Sequence, residues 1–165
     1  MLPAEKWIQE LNLKPHPEGG FFAETYRSGI EVNQKELPRG FSGNRRLATS
    51  IYYLLRSGEI SRLHRLRSDE IWYYHYGSSL KLILIDKEGK KKSRILGPRV
   101  DKAEHLQVLI PAGTIFAAEI LESNSYSLFG CVVAPGFDFA DFELFEKDDM
   151  LQAYPNLSDV IEKYC

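Results

Sequence analysis

The chain has 165 residues, with 21 Lys and Arg against 23 Asp and Glu, two cysteines and a formal charge of −2. That length makes one domain spanning 1–165, able to bury about two-thirds of its unfolded surface without disulfides or a structural metal. A composition of 44% hydrophobic and 27% charged residues excludes disorder, collagen and coiled coil. The basic residues are scattered, which argues against a nucleic-acid partner. No apolar run approaches the roughly 18 residues of a membrane span. The first residues, MLPAEKWIQELNL, carry acids and lack a continuous apolar stretch, so no signal peptide is expected and a cytoplasmic location follows.

In chain order, Pro3 precedes Trp7, Ile8 and Leu11 at helical spacing, which predicts one short amphipathic helix. The Pro- and Gly-rich cluster Lys14 to Gly20 ends it. Nine segments rich in β-branched and aromatic residues follow, at 21–27, 47–55, 60–66, 70–76, 79–85, 93–96, 105–110, 114–121 and 125–134. Most are separated by turn signals such as Ser57-Gly58, Glu88-Gly89 and Pro111-Ala112-Gly113, which predicts an antiparallel sandwich or barrel. Residues 29–45 form the longest predicted loop. From Glu143 the composition turns helical, broken at Pro155, with Asn156 or Ser158 as the expected cap of the last helix.

Two stretches carry candidate chemistry. In Gly58–Gly77, five residues separate Gly58 from His64, Glu70 lies six positions further, and six residues separate it from Gly77. The second stretch, His105–Phe116, contains Pro111-Ala112-Gly113. Together they resemble the two signature motifs of the cupin superfamily, G-x5-H-x-H-x3-4-E-x6-G and G-x5-P-x-G-x2-H-x3-N. HPEGGFFAETYRS, SDEIWYY and LFGCVVAPGFDFADFEL further resemble a small cupin-like family of domain-of-unknown-function proteins, from about residue 5 to 146. The resemblance implies an all-β cupin double-stranded β-helix, or jelly-roll barrel, with a short N-terminal helix and a helical C-terminal tail. It also implies a homodimer and a pocket inside the barrel, and it brings no settled reaction.

The chain departs from the metal-binding pattern. Leu66 stands at the second histidine of the first motif, Phe116 at the histidine of the second and Ile120 at its asparagine. Of the ligand set only His64 and Glu70 remain, and two ligands plus water bind a divalent metal weakly. No cofactor is therefore expected; a metal on His64 and Glu70, completed by His75 or His105, is the less favoured reading. Without metal, a glutamate facing an imidazole raises the ring's affinity for a proton, which fits His64 for proton transfer and Glu70 for orienting it. Strand alternation puts Trp72 and Tyr74 on the face of Glu70, and Arg62 and Leu66 on that of His64. The expected pocket is Leu66, Trp72 and Phe116, with Gln107, Tyr26 and Tyr52 reaching inward.

Other polar groups read as structural. His16 is expected at a surface turn, His75 off the pocket, His105 in solvent and Cys131 as a buried thiol. Lys87–Arg94 reads as a hairpin tip, Arg45 and Arg46 as a surface pair, and Phe137–Phe142 as an edge or dimer-interface segment. Three functions remain open. The first is a protein binding a small polar molecule, such as a sugar or nucleotide derivative, with metal-independent isomerase or epimerase chemistry. The second is a non-catalytic binding or sensor module, and the third a weakly metal-dependent enzyme.

Overall fold

The computed structural model describes residues 2–165. Helix α1 (Ala4–Glu10) is followed by β1 (Lys14–Pro15), β2 (Phe21–Arg27), β3 (Glu31–Val32), β4 (Arg45–Arg46), β5 (Thr49–Arg56) and β6 (Ile60–Leu66). Then come β7 (Asp69–Gly77), β8 (Leu80–Ile85), β9 (Lys91–Leu96), β10 (Gln107–Ile110), β11 (Ile115–Ile120), β12 (Tyr126–Ala134) and β13 (Phe142–Leu144). Helices α2 (Lys147–Ala153) and α3 (Ser158–Tyr164) close the chain. All nine strands read from composition are present, with ends within two residues. The short β1, β3, β4 and β13 carry too few alternating residues to announce themselves.

Two antiparallel sheets face each other, ordered β1-β2-β5-β12-β7-β10 and β13-β6-β11-β8-β9, with β3 and β4 as a separate pair. This is the jelly-roll barrel the motifs imply. Strand alternation sends Tyr53, Leu55, Trp72, Val108, Ile110, Phe129 and Cys131 of the first sheet inward. They meet Leu80, Leu82, Leu96, Phe116, Ala118 and Ile120 of the second. The five-stranded sheet is buried on its other face too, where Leu63, Ile83, Ile85, Ile115 and Ala117 pack beneath Met150, Leu157, Val160, Ile161 and Tyr164 of the C-terminal helices. That double burial explains the near-continuous apolar run of β8. Helix α1 and the turn after it cover one end of the six-stranded sheet through Ala4 and Leu13 against Leu54, Tyr126 and Leu128. Among the described residues no helix is long and apolar enough to cross a membrane.

Three expectations change here. Neither Asn156 nor Ser158 caps α3: Pro155–Leu157 forms a 3-10 turn running straight into it, and Leu157 takes the cap position without a side-chain bond. Residues 29–45 are an ordered excursion in which the Asn33 side chain accepts from Lys35 N–H, Gln34 Nε2 donates to the Phe41 carbonyl at 2.8 Å, and Phe41 is buried. Arg45 is no surface residue either. Its guanidinium forms a two-pronged, buried ion pair with Asp141 at 2.5 and 2.9 Å, which ties the excursion to the segment carrying Phe137–Phe142.

Candidate functional site

Between the sheets lies a cavity of about 240 Å³, the volume of roughly eight liquid waters at about 30 Å³ each. Phe22, Tyr53, Leu66, Trp72, Cys131 and Phe142 supply its apolar wall, and His16, Glu18, His64 and Glu70 its polar groups. Glu24, Arg27, Asp138 and Phe139 also line it. An apolar chamber with a few converging polar groups is the usual make-up of a small-molecule site.

Two local irregularities build the polar wall. The first is the turn at His16–Gly20, where His16 N–H donates to the Gly20 carbonyl and Gly19 N–H to that of His16, both at 3.0 Å. Gly19 has φ +118°, and a Cβ there would lie 2.1 Å from the Ile60 carbonyl oxygen, so only glycine brings the turn this close to β6. The second is a bulge. Along the β6–β11 ladder, Phe116 pairs with His64 but Ala118 pairs with Ser61, so one extra β6 residue breaks the alternation. Ser61 therefore faces inward beside His64, and Arg62 turns outward, against the expectation from strict alternation.

The turn and the bulge satisfy each other. Arg62 N–H donates to the Glu18 carbonyl at 2.9 Å, and Ser61 Oγ donates to Glu18 Oε1 at 2.9 Å. His64 Nε2 lies 3.1 Å from Glu18 Oε2. On the other side of the ring, Nδ1 is 2.7 Å from the Arg62 carbonyl oxygen, which can only accept, so Nδ1 carries a proton. A second proton must then lie between Nε2 and Oε2 for that contact to be attractive. With that proton on Nε2 the imidazole has no free lone pair, so the Glu18 carboxylate is the member of the pair left to accept a proton. Phe116 packs against the His64 ring at 4.0 Å between centroids and holds it from behind.

His16 is the second imidazole. Glu18 N–H points at its Nδ1 at 3.4 Å, leaving the ring's own proton on Nε2. Burial lowers its pKa, an effect the Glu18 charge partly offsets, so the ring is neutral. It lies edge-on to Phe22 and Phe142. The Tyr53 hydroxyl donates to the Gly19 carbonyl, and burial holds the phenol well above its ordinary range.

Glu70 differs from the other polar groups. Its side chain is 6% exposed, and Oε2 is fully buried with no hydrogen-bond partner. Burial first, and then the charge of Glu18, push its pKa up to about 8, so it carries a proton at neutral pH. The Trp72 indole N–H and the Cys131 thiol lie near enough to temper that rise. The indole Nε1 nevertheless has no aligned partner of its own. The Cys131 thiol is pushed well above its usual range by burial and the neighbouring carboxyl, so it is inert.

Of the residues expected at the pocket, His64, Glu70, Leu66 and Trp72 line it, while Phe116 sits behind His64. Tyr26, Tyr52 and Gln107 do not. A register break in β2 between Glu24 and Tyr26 leaves Tyr26 54% exposed. Tyr52 lies on the outer sheet face, edge-on to His75 at 5.7 Å. Gln107 is exposed because β10 sends Val108 and Ile110 inward. His75 and His105 stay out of the cavity as expected. His16 does not: its turn folds back over the barrel, so it lines the chamber instead of the surface. Phe137–Phe142 is likewise a wall of this cavity and not a bare edge. Sequence reasoning missed Glu18, Ser61 and Tyr53. The one signal pointing to Glu18 was the paired glycine after it, which marks a turn under steric pressure.

The donor set does not fit a divalent metal. Leu66 and Phe116 offer no lone pair, His64 Nε2 is turned to Glu18, and among the described residues no three His, Cys, Asp or Glu side chains converge as a metal cluster.

Comparison with known proteins bears on the same segments. A family model described as "Cupin superfamily (DUF985)" matches residues 5–145. Protein SO0799 from Shewanella oneidensis is 41% identical, with a TM-score of 0.87 over 99% of this chain and 98% of its own. A hypothetical protein from Leishmania major is 36% identical, with a TM-score of 0.90 over 99% of each chain. The uncharacterized protein YML079W of Saccharomyces cerevisiae is 31% identical over 157 residues, 90% of this chain and 78% of that protein.

Proposed function

Because the chain belongs to the DUF985 family of the cupin superfamily, with a barrel interior stripped of two metal-ligand positions, we propose that it binds a small polar molecule there and moves a proton on it without a metal. The carrying observation is the Glu18–His64 pair, closed at 3.1 Å, in the same chamber as a carboxyl that burial keeps protonated. One site thus holds a group ready to accept a proton and another ready to donate one, the requirement for isomerase- or epimerase-type chemistry. Base and acid come from different sheets, β6 and β7. An inward tyrosine as the acid loses support, since Tyr26 and Tyr52 face outward and Tyr53 is committed to Gly19.

A thermal-shift screen against sugars, small acids and nucleotide derivatives tests this reading, because a ligand of the native state raises the melting temperature. The expected result is a stabilising compound whose effect is lost in His64→Gln and retained in an outer-face variant such as Gln107→Ala. Stabilisation unaffected by His64→Gln would overturn it. So would a bound compound that never exchanges hydrogen with solvent in the wild-type protein.

A further inference from the structure

A second concavity lies back to back with the chamber, beyond a wall that Leu66 and Phe142 give to both. It is an open groove of about 780 Å³, within the size range of small-molecule sites. Cations reach it from separate places in the chain: Arg39 from the 29–45 excursion, Arg65 from β6, Arg67 from the turn after β6 and Lys87 from the turn after β8. Two acids line it as well, and both are committed. Asp141 is held by Arg45 at 2.5 and 2.9 Å, and Glu143 accepts from Arg65 at 2.5 and 3.0 Å. Arg67 Nε comes only within 3.8 Å of Asp141 Oδ1, too far for a hydrogen bond. Among the described residues, Arg39, Arg67 and Lys87 therefore face the groove without a hydrogen-bonded acid. Two of these side chains lie against bare glycine backbone. A Cβ on Gly40 would stand 2.9 Å from Arg67 Nη1, and one on Gly113 would stand 3.1 Å from Lys87 Cε.

Like charges gathered in one concavity repel, and the low-dielectric wall behind them focuses their field. The chain as a whole carries −2, so this positive groove runs against the overall sign. An anion between the three free cations turns that repulsion into attraction. Guanidinium forks match the paired oxygens of a phosphate, and an ammonium adds a point charge beside them. A phosphate monoester brings at most about two negative charges at neutral pH, fewer than the cations waiting for it. We infer that this groove is a second binding site, for a small molecule carrying a diphosphate, with Arg39, Arg67 and Lys87 on the phosphate oxygens. Phe41 and Phe142 also line the groove and give the organic part of such a ligand an apolar surface. Because the site lies behind the wall of the chamber, it does not depend on the proton-transfer reading.

The test is isothermal titration calorimetry of the full chain with inorganic pyrophosphate and with orthophosphate, in low-salt buffer. Pyrophosphate is expected to bind one to one and more tightly than orthophosphate. Arg39→Gln, Arg67→Gln and Lys87→Gln should each weaken it about 10-fold, the loss of one charge-assisted contact. All three side chains are exposed, so the variants keep the fold. Lys92→Gln on β9 makes the same change of charge outside the groove and should weaken binding by less than about 2-fold, since solvent screens so exposed a charge. Absence of pyrophosphate binding overturns the inference, as does a loss in Lys92→Gln equal to that in the groove variants. Orthophosphate bound as tightly as pyrophosphate overturns the diphosphate assignment. A single-stranded oligonucleotide held more tightly than pyrophosphate, and released by the same three variants, would make the groove a nucleic-acid contact and overturn the small-molecule assignment.

Discussion

Glu70→Gln converts a buried carboxyl into an uncharged group of nearly the same shape, and its effect should depend strongly on pH. Below the unfolded value of 4.5 the Glu70 carboxyl is protonated in both states and adds no penalty. Between 4.5 and about 8 the unfolded chain has released this proton while the folded chain retains it. Stability of the wild type therefore falls with rising pH, by about 1.4 kcal/mol for each pH unit from this group alone. Above pH 8 both states are ionised and the loss levels off at about 5 kcal/mol. Glutamine has no such slope. Urea unfolding of both proteins from pH 5 to pH 9, compared as a difference so that all other groups cancel, should show the variant gaining on the wild type by about 4 kcal/mol before it levels. Parallel pH profiles would mean that Glu70 is ionised in the native protein at neutral pH, and its role as an acid would fall with that result.

The buried pair of Arg45 and Asp141 should behave asymmetrically: Asp141→Ala strands a buried guanidinium and should cost about 3–5 kcal/mol, while Arg45→Met with Asp141→Leu should recover most of it, as urea midpoints will show. Glu18→Ala leaves Ser61 Oγ and His64 Nε2 without their partner and should cost about 3 kcal/mol, with Trp72 fluorescence reporting a loosened chamber. Gly19→Ala drives a Cβ into the Ile60 carbonyl at a φ of +118° and should destabilise by at least about 2 kcal/mol. Cys131 should resist alkylation under native conditions, with the partly exposed Cys165 alone accounting for thiol reactivity until denaturant is added.

How much of this was legible depended on whether the signal lay within one strand. The runs that became β6, β7, β8 and β12 have their own alternation or apolar continuity, and their ends follow from Gly, Pro and Ser turns. His64 and Glu70 were found because a motif fixes their spacing. Tyr26, Tyr52, Gln107 and Arg62 were misplaced because the face a side chain occupies is set by strand phase: Tyr52 and Gln107 lie on unbroken ladders whose phase sends them outward, while a one-residue irregularity inverts the other two. The β6 bulge exchanged Arg62 for Ser61, and the break in β2 carried Tyr26 outward. Glu18 was hidden because the glycine pair in HPEGG marks a tight turn but not the strand, more than forty residues later, onto which that turn folds back. That partnership exists only in three dimensions.

The interlock between turn and bulge also acts as a check on assembly. β1 and β2 form a short hairpin with Lys14 opposite Phe22 and Pro15 opposite Phe21, and so small a ladder specifies its register weakly. A slip of one residue would turn the Glu18 side chain away from β6. Arg62 N–H, Ser61 Oγ and His64 Nε2 would then lose their partners together. The polar cluster therefore discriminates against misaligned arms far more sharply than the hairpin can by itself, so the residues read here as the reactive ones also proofread the fold.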